Sequence, residues 1–311
     1  MKHRVLITGS AGLIGTALRI VLEERGVNVV GLDLLGNNVD AGDVRDPRRV
    51  RSALVGCDGV VHLAAVSRVV WGELDPDGCW ATNVGGLRNV IEQVERQHLP
   101  PWLIFASSRE VYGQPAVLPA TEDSPLRPVN YYGRSKVEGE LLVTQARATG
   151  MRAAIIRFSN VYGSVGDHAD RVVPAFAWGA LTGGTLLVHG ADCSFDFTHI
   201  DDAVRGILAI IDRFNEGHEA FPPIHFATGR ATTLWQLATL AVDITGSSSF
   251  VTHGSPRQFD VSHFCGSPER ARRILGWKPC IPLRDGLSKL IDEFRSSLDA
   301  KRSANGAPPR A

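Results

Sequence analysis

The sequence predicts a doubly wound α/β fold, in which a parallel sheet with helices on both faces is accompanied by a smaller C-terminal α/β lobe. Two observations favour this class: short apolar runs alternate with amphipathic segments of helical length from the start of the chain, and the first apolar run leads directly into a glycine-rich turn. Ligands of such sheets bind where the carboxyl ends of the strands meet. A chain of 311 residues is long enough for a large core in two lobes.

The predicted elements of the sheet follow one another along the first half of the chain. Each strand is a short apolar run, and each helix is a longer amphipathic segment. The strands are expected at residues 4–8, 27–32, 59–63, 102–107 and 152–157. The helices between them are expected near residues 12–25, 47–55, 78–98 and 131–149.

The overall composition indicates a small-molecule ligand. The chain contains 33 Lys and Arg against 33 Asp and Glu, so its charge gives no reason to expect binding to nucleic acid or to an anionic membrane. No apolar run approaches the length of a membrane span. The five cysteines lack the spacing of a metal site or a redox pair, so we expect reduced thiols in a cytoplasmic protein and no metal.

Glycines recur at every third position of the turn between the first strand and the first helix. Gly9 permits a tight turn, and Gly15 allows close packing of the helix. Gly12 lets backbone N–H groups approach a pyrophosphate at the helix N-terminus, which begins with Leu13 and Ile14. Because the run follows an apolar strand and precedes a helix, it predicts a dinucleotide site rather than a simple turn.

An acidic residue follows this turn at the spacing that dinucleotide sites use. Asp33 ends the second predicted strand, where a carboxylate accepts hydrogen bonds from the adenosine ribose and repels a 2′-phosphate. We therefore expect NAD rather than NADP; an exposed Asp without a role is the alternative. Further residues expected beside the dinucleotide are Asp43 and Val44, near the adenine ring, and Leu63, Ala64 and Ala65, where small side chains let the dinucleotide pass.

A phenol and an ammonium group come together in the middle of the chain. Tyr132 lies four residues before Lys136 on a predicted helix, so the two side chains share one face. The cation is expected to lower the pKa of the phenol and make it a base for an alcohol proton near neutral pH. Ser108, at the end of the fourth strand, adds a hydroxyl within reach. Tyr131 is the competing phenol, one residue out of register with the lysine.

Ordered motifs over roughly residues 3–295 resemble those of the extended short-chain dehydrogenase/reductases, specifically the nucleotide-sugar epimerase/dehydratase family. The motifs are the glycine run at 8–15, His62-Leu63-Ala64-Ala65, Thr82-Asn83-Val84, Ser108-x-x-Val111-Tyr112-Gly113, Tyr132-x-x-x-Lys136, and residues 157–163, 196–202 and 271–279. The resemblance implies a Rossmann domain that binds NAD and a lobe that binds a nucleoside-diphosphate sugar. It also implies a homodimer, because helices near 83–98 and 131–149 commonly pair across a two-fold axis in this family.

The break in the regular alternation after Gly163 suggests where the two parts of the chain divide, and a helix is expected there at 172–182. The expected parts are a dinucleotide-binding domain at 1–163, to which 191–215 returns, a substrate-binding lobe at 164–190 and 216–298, and a flexible tail at 299–311. Ligands are expected to lie between the domain and the lobe.

The resemblance implies a role for each matching residue. Tyr132 is the base, Lys136 tunes it and holds the nicotinamide ribose, and Ser108 hydrogen-bonds the reacting sugar oxygen. The other implied contacts are Asn83 near the cofactor, and Asn160 and Arg257 at the substrate diphosphate. Where many members have Arg before Asp-Phe this chain has Phe195, so one usual phosphate contact is absent or comes from elsewhere.

The catalytic strand distinguishes reactions within the family. Its 4,6-dehydratases have Thr-Asp-Glu where this chain has Ser108, Arg109 and Glu110; the Asp gives a proton to the departing hydroxyl and the Glu takes one from carbon. Arg109 cannot donate that proton, because a guanidinium stays charged. We therefore expect epimerisation at C4 of a nucleoside-diphosphate sugar through a transient 4-keto sugar.

Other activities of the family are alternatives to epimerisation. A decarboxylase of the family would keep Glu110, but its Tyr-x-x-x-Lys segment usually differs from the one found here, whereas a ketoreductase could share it. A 4,6-dehydratase is disfavoured by Arg109, and a non-catalytic NAD-binding module is remote because Ser108, Tyr132 and Lys136 are intact. Arg109 and Glu110 are expected at the substrate. Either Arg109 pairs with an anionic sugar group such as a uronic acid, or it forms a structural salt bridge with Glu110 or a nearby acid.

Overall fold

The computed structural model describes residues 3–37, 39–255 and 261–304. The strands in them are β1 Arg4–Thr8, β2 Asn28–Leu32, β3 Gly59–His62, β4 Trp102–Ser108, β5 Ala153–Phe158, β6 Asn160–Tyr162, β7 Leu186–His189, β8 Ser194–His199, β9 Ile224–Phe226, β10 Ala231–Thr233 and β11 Val251–Gly254. The helices are α1 Leu13–Glu24, α2 Pro47–Leu54, α3 Val69–Leu74, α4 Pro76–Trp80, α5 Gly86–Glu95, α6 Tyr131–Ala148, α7 Val172–Thr182, α8 Ile200–Asn215, α9 Leu234–Thr245, α10 Glu269–Leu275 and α11 Leu283–Ala304.

Six of the strands in the described part of the chain form one parallel sheet, in the order β2-β1-β3-β4-β5-β9. The chain runs from β1 to β2 on one side and then returns to β3 on the other, so the ends of β1 and β3 form a topological switch point. Thr8 at the end of β1 pairs with Leu32 of β2 and with His62 of β3. The predicted doubly wound class is confirmed.

Helices cover both faces of this sheet, which explains why its strands are nearly continuous apolar runs. On one face α1 and α8 bury Leu18 and Ile207 against the strands. On the other face α2, α5 and α6 bury Val50, Val90 and Val143. The strand order and this packing place the loops after β1, β3 and β4 side by side at the carboxyl edge.

The helix expected near 78–98 is interrupted. Pro76 begins α4, and the Asp75 carboxylate accepts a hydrogen bond of 2.9 Å from the backbone N–H of Gly78. A π-helical turn, Ala81–Gly85, then leads into α5. The wider turn places the Asn83 side chain in the interior, where it is 2% exposed. A continuous amphipathic pattern does not predict such a turn, because the turn depends on the buried partners of its side chains.

A second core lies beside the parallel sheet. Helices α7, α9 and α11 contribute Phe176, Leu237 and Leu290 to it. Phe195 and Phe197 reach it from β8, the central strand of a three-stranded sheet in the order β10-β8-β6. Strands β7 and β11 pair in parallel with each other.

The chain crosses between the two cores at positions that differ from the expected division. Strand β9 lies in the expected substrate lobe, yet it pairs with β5 at the edge of the main sheet. Ala271 of α10 and the following Trp277 also pack on the core of the main sheet. Helix α11 ends at Ala304, so residues 299–304, expected in a flexible tail, are helical. A three-residue strand has too short a pattern to be assigned before its partner is known.

Candidate functional site

The turn between β1 and α1 has the shape that the glycine pattern requires. Gly9 has φ +72°, and a Cβ there would lie 2.7 Å from the backbone nitrogen of Ala64. A Cβ at Gly15 would lie 2.2 Å from the carbonyl oxygen of Gly9. Gly12 is the N-cap of α1 and offers no side-chain acceptor, so the first N–H groups at Leu13 and its neighbours are left for an anion. These residues fit a dinucleotide pyrophosphate.

Asp33 lies directly beside this turn. Its carboxylate accepts hydrogen bonds from the backbone N–H of Ala11, at 3.0 Å, and of Leu35, at 2.8 Å. The side chain is therefore held next to the place that the glycine turn reserves for the pyrophosphate. This position fits a contact with the adjoining ribose.

Asp43 and Val44, expected near the adenine ring, have different surroundings in the structure. The Arg45 guanidinium binds the Asp43 carboxylate, 2.6 Å between Nη2 and Oδ2, and holds the pKa of Asp43 below its usual value. Val44 is buried under Gly86 of α5. The Asp43 carboxylate thus has a partner within the chain, and its contact with an adenine stays a prediction.

The segment after β3 lies against the end of β1. Leu63 donates its backbone N–H to Thr8, and Ala64 donates to the Thr8 hydroxyl at 3.3 Å. Ala65 follows them, partly exposed like Leu63 and Ala64, at the same edge of the sheet. Because these side chains are small, they leave space beside the glycine turn at the carboxyl edge of the sheet, as a bound dinucleotide requires.

Asn83 connects the cofactor edge to helix α6. Its amide oxygen accepts a hydrogen bond of 2.7 Å from the backbone N–H of Val66. Its amide NH₂ donates to the Ser135 hydroxyl at 2.9 Å. Because both ends of the amide are bound by the chain, Asn83 positions the loop after β3 against the helix that contains Tyr132 and Lys136.

Ser108, Tyr132 and Lys136 are brought together by β4 and the first turns of α6. The Lys136 ammonium donates to the carbonyl oxygen of Ala106 at 2.8 Å and lies 5.7 Å from the centre of the Tyr132 ring. All three side chains are buried. Tyr131, by contrast, is 41% exposed, and the Arg134 guanidinium lies over its ring. The phenol that faces the lysine is therefore Tyr132.

Burial dominates the electrostatics of this cluster. It raises the pKa of Tyr132 to about 12, and an interaction with the Ser108 hydroxyl acts in the opposite direction. It lowers the pKa of Lys136 to about 8. A low-dielectric surrounding disfavours the charged form of both groups. In the chain alone burial outweighs the influences that favour the phenolate, and the expectation that Lys136 lowers the pKa of Tyr132 stays a prediction.

Arg109 and Glu110 form a salt bridge at the end of β4, 2.8 Å between Nη2 and Oε1, with both side chains largely buried. The second carboxylate oxygen of Glu110 accepts a hydrogen bond of 2.8 Å from the Asn130 amide. Arg109 Nε donates to the Asn160 amide oxygen at 2.9 Å. The guanidinium lies 4.6 Å from the centre of the Phe195 ring. The structural salt bridge foreseen for Arg109 is thus present.

Two residues of this group were not identified from the sequence. Asn130 is the N-cap of α6, and its amide oxygen accepts the backbone N–H of Gly133 at 2.7 Å. An Asn directly before a helix is a recognisable capping pattern, so it could have been found. Arg171 is close enough to Tyr132 to favour its ionised form, but it comes from the irregular segment before α7 and has no motif. Arg257 lies outside the described residues.

Other kinds of site find no support in the described ranges. No group of three or more His, Cys, Asp or Glu residues in them is arranged to hold a metal ion. None of the helices described is both long and apolar enough to cross a membrane.

Comparison with known proteins points to one family. A profile of the NAD dependent epimerase/dehydratase family matches residues 5–222. The chain is 28% identical to a UDP-glucose 4-epimerase of Streptomyces lividans, over 90% of this chain and 92% of that one. A crystal structure of UDP-glucose 4-epimerase with UDP-glucose from Thermotoga maritima aligns with a TM-score of 0.88 and 28% identity, covering 95% and 99% of the two chains. A Streptomyces venezuelae dTDP-glucose 4,6-dehydratase with NAD bound aligns with a TM-score of 0.85 and 28% identity, covering 96% and 98%.

The protein belongs to the NAD-dependent epimerase/dehydratase family, and the resemblance seen in the sequence is confirmed. It is an enzyme of that family, and its cofactor is NAD. The relatives above include epimerases and a dehydratase, so membership of the family does not by itself determine the reaction.

Proposed function

We propose that this protein is an NAD-dependent 4-epimerase of a nucleoside-diphosphate sugar. The similar proteins include UDP-glucose 4-epimerases that match this chain along nearly its whole length. The arrangement of Ser108, Tyr132 and Lys136 suits the exchange of a sugar alcohol with a ketone, which is the chemistry of C4 inversion.

The state of the Glu110 carboxylate is the observation on which this proposal rests. One of its oxygens binds Arg109 and the other binds Asn130. By the family resemblance, a dehydratase needs an acid at position 109 and a free carboxylate at position 110. Here a permanent cation stands at the first position and neutralises the second. The proton-transfer group left beside Ser108 is Tyr132.

Different residues of the chain bind the cofactor and the substrate. The glycine turn and Asp33 hold the dinucleotide, with Lys136 at the nicotinamide ribose. Bound NAD supplies the hydride acceptor and donor for C4 and a positively charged ring. Asn160 and Arg257 hold the substrate diphosphate, so the sugar itself is held loosely enough to present either face.

Proton movement belongs to Tyr132. As the phenolate it accepts the proton of the sugar 4-hydroxyl, while Ser108 hydrogen-bonds the same oxygen. The buried Lys136 ammonium stabilises the phenolate. After the 4-keto sugar has turned about its diphosphate bonds, Tyr132 returns the proton to the oxygen of the inverted carbinol. Tight anchoring of the nucleotide allows this turn without loss of the intermediate.

The decisive experiment is a panel of nucleotide sugars that varies the base and the sugar, with product stereochemistry and reduced-nicotinamide absorbance followed together. Inverted product without net NADH is expected. Stoichiometric NADH would show an oxidoreductase, and loss of water or CO₂ from the sugar would show a dehydratase or a decarboxylase. NAD binding without turnover of any sugar would indicate a binding module. Relative rates of Arg109→Ala on neutral and uronic-acid sugars test whether Arg109 also binds a sugar carboxylate.

We also propose a homodimer located in the cytoplasm. The support for the dimer is the family resemblance, which pairs the helices corresponding to α5 and α6. Light scattering at several protein concentrations tests it, and a monomeric mass throughout would reject it. The absence of a disulfide bond among the described residues suits a reducing compartment.

A further inference from the structure

Arg109 joins two parts of the molecule that meet at the site. Its Nε contacts Asn160 at the start of β6, and its guanidinium lies over Phe195 of β8. Both strands belong to the three-stranded sheet. Through Nη2 it also contacts Glu110, which belongs to the 3-10 turn that follows β4 of the main sheet.

The contacts continue from Glu110 to the helix of Tyr132. Glu110 accepts a hydrogen bond of 2.8 Å from Asn130, whose amide oxygen caps α6 through Gly133 at 2.7 Å. Glu110 also donates its backbone N–H to the Ser108 hydroxyl at 3.2 Å. One guanidinium is thus connected, through five short contacts, to Asn160, to Ser108 and to the start of α6.

The charge of Glu110 matters for Tyr132. The Glu110 side chain is 7% exposed, and its carboxylate lies close enough to oppose ionisation of the phenol. An unpaired buried carboxylate next to a base that must become a phenolate would hinder proton transfer. Arg109 supplies the opposite charge at 2.8 Å from it.

We propose that Arg109 is a positioning residue that cancels the charge of Glu110 beside Tyr132 and ties the three-stranded sheet to the N-cap of α6. This inference rests on the proposed function through the role of Tyr132 as the base. The salt bridge is then a part of catalytic tuning and not merely of stability. Its two functions, charge and geometry, are separable by substitution.

The other groups that face Tyr132 define the background for a test. Arg171, from the segment before α7, favours the phenolate, whereas Cys79 of α4 opposes it only as a thiolate, and burial raises the pKa of that thiol. Lys136 lies on α6 itself, 5.7 Å from the phenol ring centre. The variants below leave these three groups unchanged. Differences between the variants therefore report the Arg109–Glu110 pair.

The experiment measures kcat and KM against pH for Glu110→Gln, Arg109→Gln and the double variant. Glu110→Gln removes the negative charge that pairs with the Arg109 cation, which favours the phenolate form of Tyr132. The acid limb of the kcat–pH profile should therefore move to lower pH by about one unit. Arg109→Gln leaves Glu110 unbalanced, so the limb should move to higher pH by a similar amount. The double variant restores neutrality and should return the limb close to the wild-type position.

Arg109→Lys separates charge from geometry. It keeps the cation but loses the planar fork and the stacking on Phe195. Its acid limb should stay in place while KM rises at least several-fold. Arg295→Gln, which breaks an exposed Arg295–Asp292 pair on α11, is the matched control and should change neither quantity.

A second readout does not need turnover. With NAD bound, the phenolate absorbance of each variant is titrated and that of the same variant bearing Tyr132→Phe is subtracted. The difference curves should move in the same directions as the acid limbs.

If no sugar is epimerised but these curves move as expected, the proposed function fails and the positioning role stands. If activity falls equally at every pH and the curves coincide, the positioning role is overturned. If Arg109→Gln does not fold, the near-isosteric Glu110→Gln decides alone.

Discussion

Tyr132 and Lys136 occupy one face of α6, as their spacing predicts, and Ser108 meets them from β4. The sequence therefore predicted the chemical groups of the proposed site. It did not predict their ionisation. The phenol lies in a dry interior that raises its pKa to about 12, and how much of its surface is covered depends on elements distant in the chain.

Replacing Tyr132 with Phe tests the assignment of the base. The ring and its packing are kept while the acceptor of the 4-hydroxyl proton is lost, so turnover should fall by at least about a thousandfold, with NAD affinity nearly unchanged. Product formation is measured by chromatography and NAD binding by calorimetry. Tyr131→Phe is the matched control and should keep wild-type activity. A Tyr132→Phe enzyme that remained active would show that another group is the base.

Asp33 should determine the preference for NAD. Asp33→Asn removes the charge and leaves one oxygen, which can accept from only one of the N–H groups of Ala11 and Leu35, since these bind different carboxylate oxygens. NAD affinity should therefore fall by about 1.5–3 kcal/mol, the range for a hydrogen bond to a charged group. Discrimination against NADP should shrink in parallel. Titration with both cofactors measures this. Asp58→Asn, at the opposite end of the sheet, should leave the preference unchanged. A clear NADP preference of the wild type would contradict the role of Asp33.

At the scale of elements, the strands and helices of the first half were largely predictable, with ends within three residues of those found, but the short helix α3 was not expected. The exceptions are informative. The π-helical turn Ala81–Gly85 and the three-residue strand β9 are held by partners from other parts of the chain. The periodicity of a short segment does not depend on partners that are distant in the chain, so neither element was expected.

The glycine turn offers a test at this scale. In Gly15→Ala the new Cβ would lie 2.2 Å from the carbonyl oxygen of Gly9, so α1 has to move away from β1. We expect a loss of about 1–3 kcal/mol in the free energy of unfolding and at least about tenfold weaker NAD binding. Urea denaturation and NAD titration measure the two effects.

Gly85→Ala is the control for this substitution. Gly85 has a helical φ of −63°, and a Cβ there meets nothing within 4 Å. Its stability should stay the same or rise by up to about 1 kcal/mol, because Ala reduces the freedom of the unfolded chain. Wild-type NAD affinity in Gly15→Ala would show that the close approach at this turn is not needed.

At the scale of the whole molecule, two buried neutral histidines make stability depend on pH. Burial lowers the pKa of His62 and of His225 to about 3 each. Below the ordinary histidine value of 6.5 the unfolded chain takes up protons that the folded chain does not. The free energy of unfolding should therefore fall as the pH falls from 6.5, by up to about 1.4 kcal/mol per pH unit for each histidine.

His225→Gln checks this prediction. Its free energy of unfolding, from urea denaturation, should fall less steeply than that of the wild type between pH 6.5 and about 5. His98→Gln, at an exposed position, should keep the wild-type slope. Equal slopes in all three proteins would mean that protonation of His225 is not linked to unfolding.

The sequence by itself determined the alternation of strands and helices, the glycine turn, and the shared face of Tyr132 and Lys136. Each of these follows from steric and periodic rules that act over a few residues. Only the tertiary structure decided that Arg109 contacts Glu110, Asn160 and Phe195 together, and that Asn130 completes the group. Those partners come from separate strands and turns. Their charges and burial become defined only when the sheets pack, because an ion pair depends on distance in space and on the exclusion of water.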